Sequence, residues 1–273
     1  MAWKQNIIED FKQLVSFDSI SFHERNTADW LLARLKSMGF SVEEDQAGAY
    51  YGGDTGNIFA VLDGELEGDP VIFCAHMDVV EPGSGKKYVL EKDGTIHSAG
   101  DTVLGADDIS GILEILYGVQ LVLDSGKPHK KIEILFTIGE ELYVKGSDVF
   151  DYSKVTAKQA YVLDLSEETT FNIGTIQGGT ATNIVPDCCV LTAYETPLES
   201  KSVTDFQKAC EILGFSGGLT GTFGGSDNNS FAKNGIEGLV LSNGMYNAHS
   251  TREYTTVDDL YKGAELIGQL ILL

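Results

Sequence analysis

Short runs of consecutive apolar residues, separated by helix-like and turn-like segments, dominate the pattern of this chain. In the clearest run, Val71 to Ala75, every position is apolar or carries a thiol, as in a strand covered on both faces. Similar runs cover 131–138, 159–163 and 238–241, and residues 57–62 form a further strand pattern. The pattern predicts a single α/β domain in which a mixed sheet lies between helices.

Apolar residues also recur at helical spacing. Residues 3–17 and 25–38 carry the apolar stripe of an amphipathic helix, and residues 112–123 predict a more apolar helix. Residues 81–103 have no strong periodicity, so we expect a surface loop there, with His97 exposed to solvent.

Charge and cysteine content narrow the class of protein. The 273 residues carry a net charge of −22, which argues against nucleic acid or an anionic membrane as a partner. The four cysteines, two of them adjacent at Cys188 and Cys189, form neither a disulfide framework nor a cysteine zinc motif. We find no signal-peptide core and no apolar run long enough to span a membrane, which predicts a cytoplasmic protein.

Side chains that commonly bind metal ions stand at the ends of the strand patterns or in adjoining loops. In an open α/β sheet, ligands bind outside the carboxyl ends of the strands. Two imidazoles with several carboxylates and no cysteine favour a catalytic zinc, manganese or cobalt site over a calcium or magnesium site. The candidate set is His76, Asp107, Glu141, Asp164 and His249, with Asp78 and Glu140 beside members of it.

Each feature has a structural explanation when it is taken alone. His76 and Asp78 could form a strand end with a hydrogen-bonded histidine, and Asp107 and Asp108 could cap the following helix. The number of such residues at comparable positions favours a shared site. Two metal ions that share a bridging carboxylate need about this many ligands.

Six motifs, in order along nearly the whole chain, resemble those of the co-catalytic dizinc peptidases, and within that family the tripeptide aminopeptidases of the peptidase T type. The motifs are His76-x-Asp78, GADD at 105–108, GEE at 139–141, Asp164, GGSDNN at 224–229 and AHSTRE at 248–253. The resemblance implies a three-layer αβα catalytic domain that cleaves short peptides from their N-terminus. It also implies two divalent metal ions, Zn²⁺ in the first place, with Co²⁺ or Mn²⁺ as alternatives.

The resemblance also implies a role for each residue. Asp107 would bridge both metal ions, His76 and Asp164 would bind one, and Glu141 and His249 would bind the other. Asp78 would orient His76. Glu140 would be the general base that takes a proton from the metal-bridging water and passes it to the leaving amine. The peptide bond between Asp107 and Asp108 would be cis.

The chain departs from the family in its lid domain. Only 84 residues separate Asp164 from His249, and none of them is a histidine, so the family's dimer-forming lid has no full counterpart. We interpret 1–273 as one catalytic domain, with a core of 1–167 and 201–273. Residues 168–200 would form a rudimentary lid hairpin around Gly178-Gly179, and residues 203–214 resemble the family's helix that returns to the core.

Because the lid is short, the sequence allows more than one interpretation of the substrate and of the oligomeric state. Asn183 matches a substrate-contact position of the family, although it could equally be a turn residue. We expect a monomer, or a dimer built through another surface, rather than the family's lid dimer. The alternatives to a short-peptide aminopeptidase are a hydrolase of another small N-acyl or amide substrate and a metal-binding homologue with little activity.

Overall fold

The computed structural model describes residues 2–165, 196–220 and 225–273, together with the backbone of 177–178 and 189–190. The described residues form a mixed α/β fold, as the sequence predicts. Their α-helices are α1 (Ala2–Val15), α2 (Arg25–Ser37), α3 (Ala47–Tyr51), α4 (Ala106–Ser125), α5 (Lys145–Val149), α6 (Lys201–Leu213), α7 (Asn228–Lys233) and α8 (Val257–Ile271). None of the helices in this described part is long and apolar enough to cross a membrane.

The strands fall into one large sheet and two small ones. They are β1 (Ser41–Glu44), β2 (Ile58–Leu62), β3 (Val71–His76), β4 (Tyr88–Leu90), β5 (Thr95–Ser98), β6 (Ile132–Thr137), β7 (Gln159–Leu165), β8 (Gln177–Gly178), β9 (Cys189–Val190), β10 (Glu237–Ser242) and β11 (Tyr254–Thr256).

The large sheet has the strand order β1-β2-β6-β3-β7-β10. Strands β6, β3, β7 and β10 run parallel, whereas β1 and β2 pair antiparallel, so the sheet is mixed. Phe73 and Ala75 of β3 belong to a core with α1, α4 and α8, while Ile72 and Cys74 belong to a second core with Phe231 of α7. Burial on both faces explains why the central strands appear as unbroken apolar runs rather than as alternating patterns.

The prediction of a surface loop over 81–103 is wrong. Within that range β4 and β5 form an antiparallel pair, and β5 also pairs with β11, which gives a three-stranded sheet. The side chain of His97 in β5 is 38% exposed, so His97 is only partly exposed to solvent. These strands are only three or four residues long, and their third partner lies far along the chain, so no local pattern reveals them.

Residues 177–178 pair antiparallel with 189–190, which agrees with a hairpin in this region. Gly178 lies opposite Cys189 in this pairing, so Gly178 belongs to a strand and not to the predicted turn at Gly178-Gly179. Asn183 lies outside the described residues. The lid boundaries 168–200 and the single-domain division remain predictions. Helix α6 matches the helix expected over 203–214.

Candidate metal centre

Three parallel neighbouring strands carry the candidate residues to one edge of the large sheet. His76 is the last residue of β3, and Glu140 and Glu141 lie in a 3₁₀ turn, Glu140–Leu142, which begins three residues after the last residue of β6. Asp164 is the next-to-last residue of β7, so the strand continues one residue beyond the end that the sequence predicts. Because β6, β3 and β7 are adjacent and parallel, their carboxyl ends meet at the same place.

Asp107, at the start of α4, lies between the two candidate histidines. Its Oδ1 is 3.0 Å from His76 Nε2, and its Oδ2 is 3.1 Å from His249 Nε2. His249 Nε2 is also 3.0 Å from Glu141 Oε2. The two oxygens of one buried carboxylate therefore face two different imidazoles, which is the arrangement that a bridging carboxylate requires.

Two groups of ligand atoms in the described residues lie close enough together to hold a metal ion. One group is His76, Asp107 and Glu141, and the other is His76, Glu140 and Asp164, with all atoms of a group within 4.8 Å of one another. The division differs from the one that the resemblance implies, because Glu140 is grouped here with His76 and Asp164. The individual roles of these residues stay predictions.

Asp78 makes more contacts than the sequence suggests. The His76 ring nitrogen Nδ1 lies 3.0 Å from the backbone oxygen of Asp78 and 3.4 Å from its carboxylate. That carboxylate accepts hydrogen bonds from the backbone N–H groups of Glu140 and Glu141, at 2.9 and 3.2 Å, and from the Ser21 hydroxyl. Asp78 is thus placed to fix both the imidazole and the glutamate turn.

Asp108 lies in a kink at the start of α4, where Asp107 and Asp108 both have non-helical φ and ψ angles. Its side chain does more than stand at a helix start, because it hydrogen-bonds two residues outside α4. Asp108 Oδ2 accepts a hydrogen bond from the backbone N–H of His76 at 3.0 Å, and Oδ1 accepts one from the Asn243 side chain. The peptide bond between Asp107 and Asp108 is cis, as the resemblance implies.

The electrostatics of the cluster suit a bound cation. Burial raises the pKa of Glu140, Glu141 and Asp164, and repulsion from Asp164 adds to the shift at Glu140. Buried Glu141 Oε1 accepts no hydrogen bond from any described residue. Carboxylates crowded in this way need positive charge nearby, and imidazole and carboxylate donors without cysteine match the preference of a catalytic divalent metal.

Both histidines are held by carboxylates. Burial opposes the protonation of His76, but its contacts with Asp107 and Asp78 outweigh burial and raise the pKa of its imidazole. Contacts with Asp107 and Glu141 raise the pKa of the half-exposed His249 to about 11. A divalent ion would compete with these protons for the same nitrogen atoms, so metal binding should release protons.

Sequence reasoning missed two buried carboxylates that support the cluster. Glu253 accepts hydrogen bonds from the backbone N–H groups of Leu104, Gly105 and Asp107. Asp227 contacts Thr137 at the end of β6. Both acids lie inside motifs that carry the resemblance, AHSTRE and GGSDNN, but nothing in their local sequence shows what they contact.

A mixed α/β fold with this group of imidazoles and carboxylates at one sheet edge is typical of metallopeptidases. Residues 72–273 match the model described as "Peptidase family M20/M25/M40", and the chain belongs to this family. The chain is similar in structure to aminopeptidase PepT from Bacillus cereus ATCC 10987, with a TM-score of 0.86, 25% identity and coverage of 98% of each chain.

Two curated relatives extend the comparison. The chain is 26% identical to "Uncharacterized protein YqjE" of Bacillus subtilis (strain 168), over 99% of both proteins. That alignment runs over 367 positions, so YqjE has segments without a counterpart among the 273 residues here. The chain is 31% identical to a peptidase T of Clostridium acetobutylicum over 59% of its own length, and this match spans 48% of that protein, about half.

Proposed function

We propose that this chain is a dimetal aminopeptidase that releases the N-terminal residue of short peptides, tripeptides in particular. One observation carries the proposal: Asp107 presents one oxygen to His76 and the other to His249. The similarity to peptidase T and to PepT supports the choice of substrate.

The proposed metal sites divide the residues around Asp107. We assign His76 and Asp164 to one site and Glu141 and His249 to the other, with Asp107 shared. When bound, two divalent ions, Zn²⁺ or alternatively Co²⁺ or Mn²⁺, would polarise the scissile carbonyl and lower the pKa of water.

Glu140 is the proposed proton carrier. Its carboxylate takes a proton from the attacking water and delivers it to the nitrogen of the leaving amine. The Asp78 carboxylate accepts a hydrogen bond from the backbone N–H of Glu140 at 2.9 Å. This contact fixes the backbone position from which the Glu140 side chain extends. Adjacent glutamates can serve different functions here because Glu141 lies within reach of His249 while Glu140 lies close to Asp164.

The short lid limits what the chain contributes to substrate binding. We propose Asn183 as a substrate contact. We also propose that the protein is a monomer, or a dimer built through another surface, and that its peptide turnover is modest. One hydrogen-bond donor to a developing oxyanion typically contributes about 100-fold to 1,000-fold to turnover. The loss of such a donor with the family's lid should therefore lower turnover. Light scattering on eluted protein tests the assembly, and a dimer whose partner reaches the metal site would contradict it.

A matched set of substrates tests the function. A free tripeptide, the same tripeptide with an acetylated N-terminus, a dipeptide and an N-acetyl amino acid are incubated with chelator-treated protein, with and without Zn²⁺, Co²⁺ or Mn²⁺. We expect metal-dependent release of the first residue from the free tripeptide only, or fastest from it. Faster cleavage of the N-acetyl amino acid would favour the amide-hydrolase alternative. Metal binding without any cleavage would favour a metal-binding homologue.

A further inference from the structure

Two buried side chains lie just before the metal-site residues on adjacent strands. Cys74 precedes His76 by two residues on β3, and Thr137 is the last residue of β6, three residues before Glu140. The strands are parallel, with His76 in register with Thr137. Neither Cys74 nor Thr137 has any exposed surface. A group that fixes both side chains therefore fixes the two strand ends that carry His76 and Glu140.

A single carboxylate contacts both of these side chains. Asp227 Oδ2 accepts a hydrogen bond from the Thr137 hydroxyl at 2.5 Å and lies 3.6 Å from Cys74 Sγ, within reach of a thiol hydrogen bond. Asp227 occupies the N-cap position of α7, but its side chain makes no capping hydrogen bond there. It comes from a distant part of the chain, 90 and 153 positions from its two partners. The segment that begins α7 is thereby attached to the base of the metal centre.

Burying this carboxylate is costly. Asp227 is 1% exposed, and its second oxygen, Oδ1, accepts no hydrogen bond from the described residues. Burial raises the pKa of Asp227, although the hydrogen bond from the Thr137 hydroxyl acts in the opposite direction. An apolar side chain at this position would avoid the desolvation penalty, so stability alone is a poor reason to bury an acid here.

We infer that Asp227 is a positioning residue for the metal centre, which holds the ends of β3 and β6 in the geometry that His76 and Glu140 need. It acts through Thr137 and Cys74 and touches neither substrate nor metal. The inference rests on the proposed metal-dependent function. Outer partners of this kind typically contribute about 10-fold to 100-fold to metal affinity or activity.

Cobalt binding to the full chain tests this inference independently of peptide cleavage. We measure Co²⁺ affinity by competition with a chelator, together with the visible spectrum of the bound ion, for Asp227→Asn, Thr137→Val and Thr137→Ser. The matched control is Asp148→Asn: Asp148 also contacts α7, through Ser230 and Lys233, and its side chain is 44% exposed.

We expect Asp227→Asn and Thr137→Val to weaken Co²⁺ binding by about 10-fold to 100-fold and to alter the spectrum. Thr137→Ser keeps the hydroxyl donor and should behave as the wild type, as should Asp148→Asn. If Asp227→Asn fails to fold, Thr137→Val decides alone. Wild-type affinity in Thr137→Val, or an equal loss in Asp148→Asn, would overturn the inference. A wild-type protein that binds no Co²⁺ would instead count against the proposed function.

Discussion

Glu253 Oε1 accepts a hydrogen bond from the backbone N–H of Asp107 at 2.9 Å, and Glu253 Oε2 accepts two more, from Leu104 and Gly105. Glu253 follows His249 by four residues, so one carboxylate joins the His249 loop to the turn that presents Asp107. This join holds the loop that carries His249 beside the turn that carries Asp107, whose Oδ2 lies 3.1 Å from His249 Nε2.

Replacing Glu253 should therefore damage stability and metal affinity together. Glu253→Gln keeps the shape but offers one acceptor oxygen for three buried N–H donors, and an unsatisfied buried donor costs about 1–3 kcal/mol. Thermal unfolding should show that loss, and chelator competition should show weaker metal binding. The control is Asp258→Asn on α8, whose side chain is 72% exposed and pairs with Lys262; it should leave metal affinity unchanged and lower stability by less than about 1 kcal/mol. Equal behaviour of the two variants would contradict the role of Glu253.

Substitutions of Glu140 and Glu141 should have different effects, because Glu140 is the proposed proton carrier and Glu141 is a proposed metal ligand. Glu140→Gln removes the proton acceptor and keeps an oxygen, so turnover should fall about 10²-fold to 10⁴-fold while both metal ions stay bound. Glu141→Gln should weaken one metal site, because Glu141 contacts His249 at 3.0 Å. Metal content and peptide turnover are measured on the same samples. Loss of a metal ion from Glu140→Gln would instead support the grouping of Glu140 with His76 and Asp164.

The sequence predicts the central sheet and the candidate set because both have local signals. Strands buried on both faces appear as apolar runs, and the ligand-type residues directly follow those runs, as His76 follows Val71–Ala75. The approach of His76, Glu141 and Asp164 to one another then follows from parallel strands that end at one edge. Asp107 and His249 reach the same place on a helix start and on a loop. The division of ligands between two metal ions does not follow, because it depends on side-chain positions and not on spacing.

Long-range contacts account for what the sequence does not reveal. The β5–β11 pairing joins residues that lie far apart in the chain, and Glu253 reaches Asp107 across 146 positions. A buried carboxylate that accepts backbone hydrogen bonds looks the same in sequence as a solvated one. In an acidic chain with a net charge of −22, composition cannot single out Asp227 and Glu253, the two buried carboxylates that support the candidate metal centre.

Lys86 should make stability depend on pH in the alkaline range. It is buried, its Nζ donates to the backbone oxygens of Phe17 and Gly83, and burial lowers its pKa from 10.5 to about 8. Below pH 8 the lysine is protonated in both states. Between pH 8 and 10.5 the folded state releases the proton that the unfolded state keeps, so the free energy of unfolding rises with pH.

The comparison with Lys86→Met isolates this contribution. From pH 7.5 to 10.5, the stability of the wild type relative to Lys86→Met should rise by about 1–3 kcal/mol. Chemical denaturation at each pH supplies the values. For Lys87→Met, at the exposed neighbouring position, the difference in stability from the wild type should not change with pH. A flat difference for Lys86→Met as well would mean that the buried lysine keeps its ordinary pKa.

Tyr143 occupies a left-handed conformation beside the glutamate turn. Its φ is 72°, its backbone N–H donates to the Glu140 oxygen, and its side chain is 71% exposed, so packing does little to offset the strain. Tyr143→Gly should raise the free energy of unfolding by about 0.5–1 kcal/mol, after allowance for the more flexible unfolded chain. Tyr50→Gly, at an equally exposed helical position, should lower it by about 1 kcal/mol. If both variants changed the free energy of unfolding in the same direction, the interpretation of backbone strain at Tyr143 would be contradicted.

The metal content of Asp107→Ala tests the bridging arrangement most directly. Protein purified without chelator is analysed for metal per chain, with Asp93→Ala, a change in an exposed loop, as the control. We predict close to two divalent ions per chain in the wild type and the control. We predict that Asp107→Ala loses both ions, because its two oxygens serve the His76 side and the His249 side. Full occupancy in Asp107→Ala, or loss of only one ion, would contradict the bridge at the centre of the proposed site.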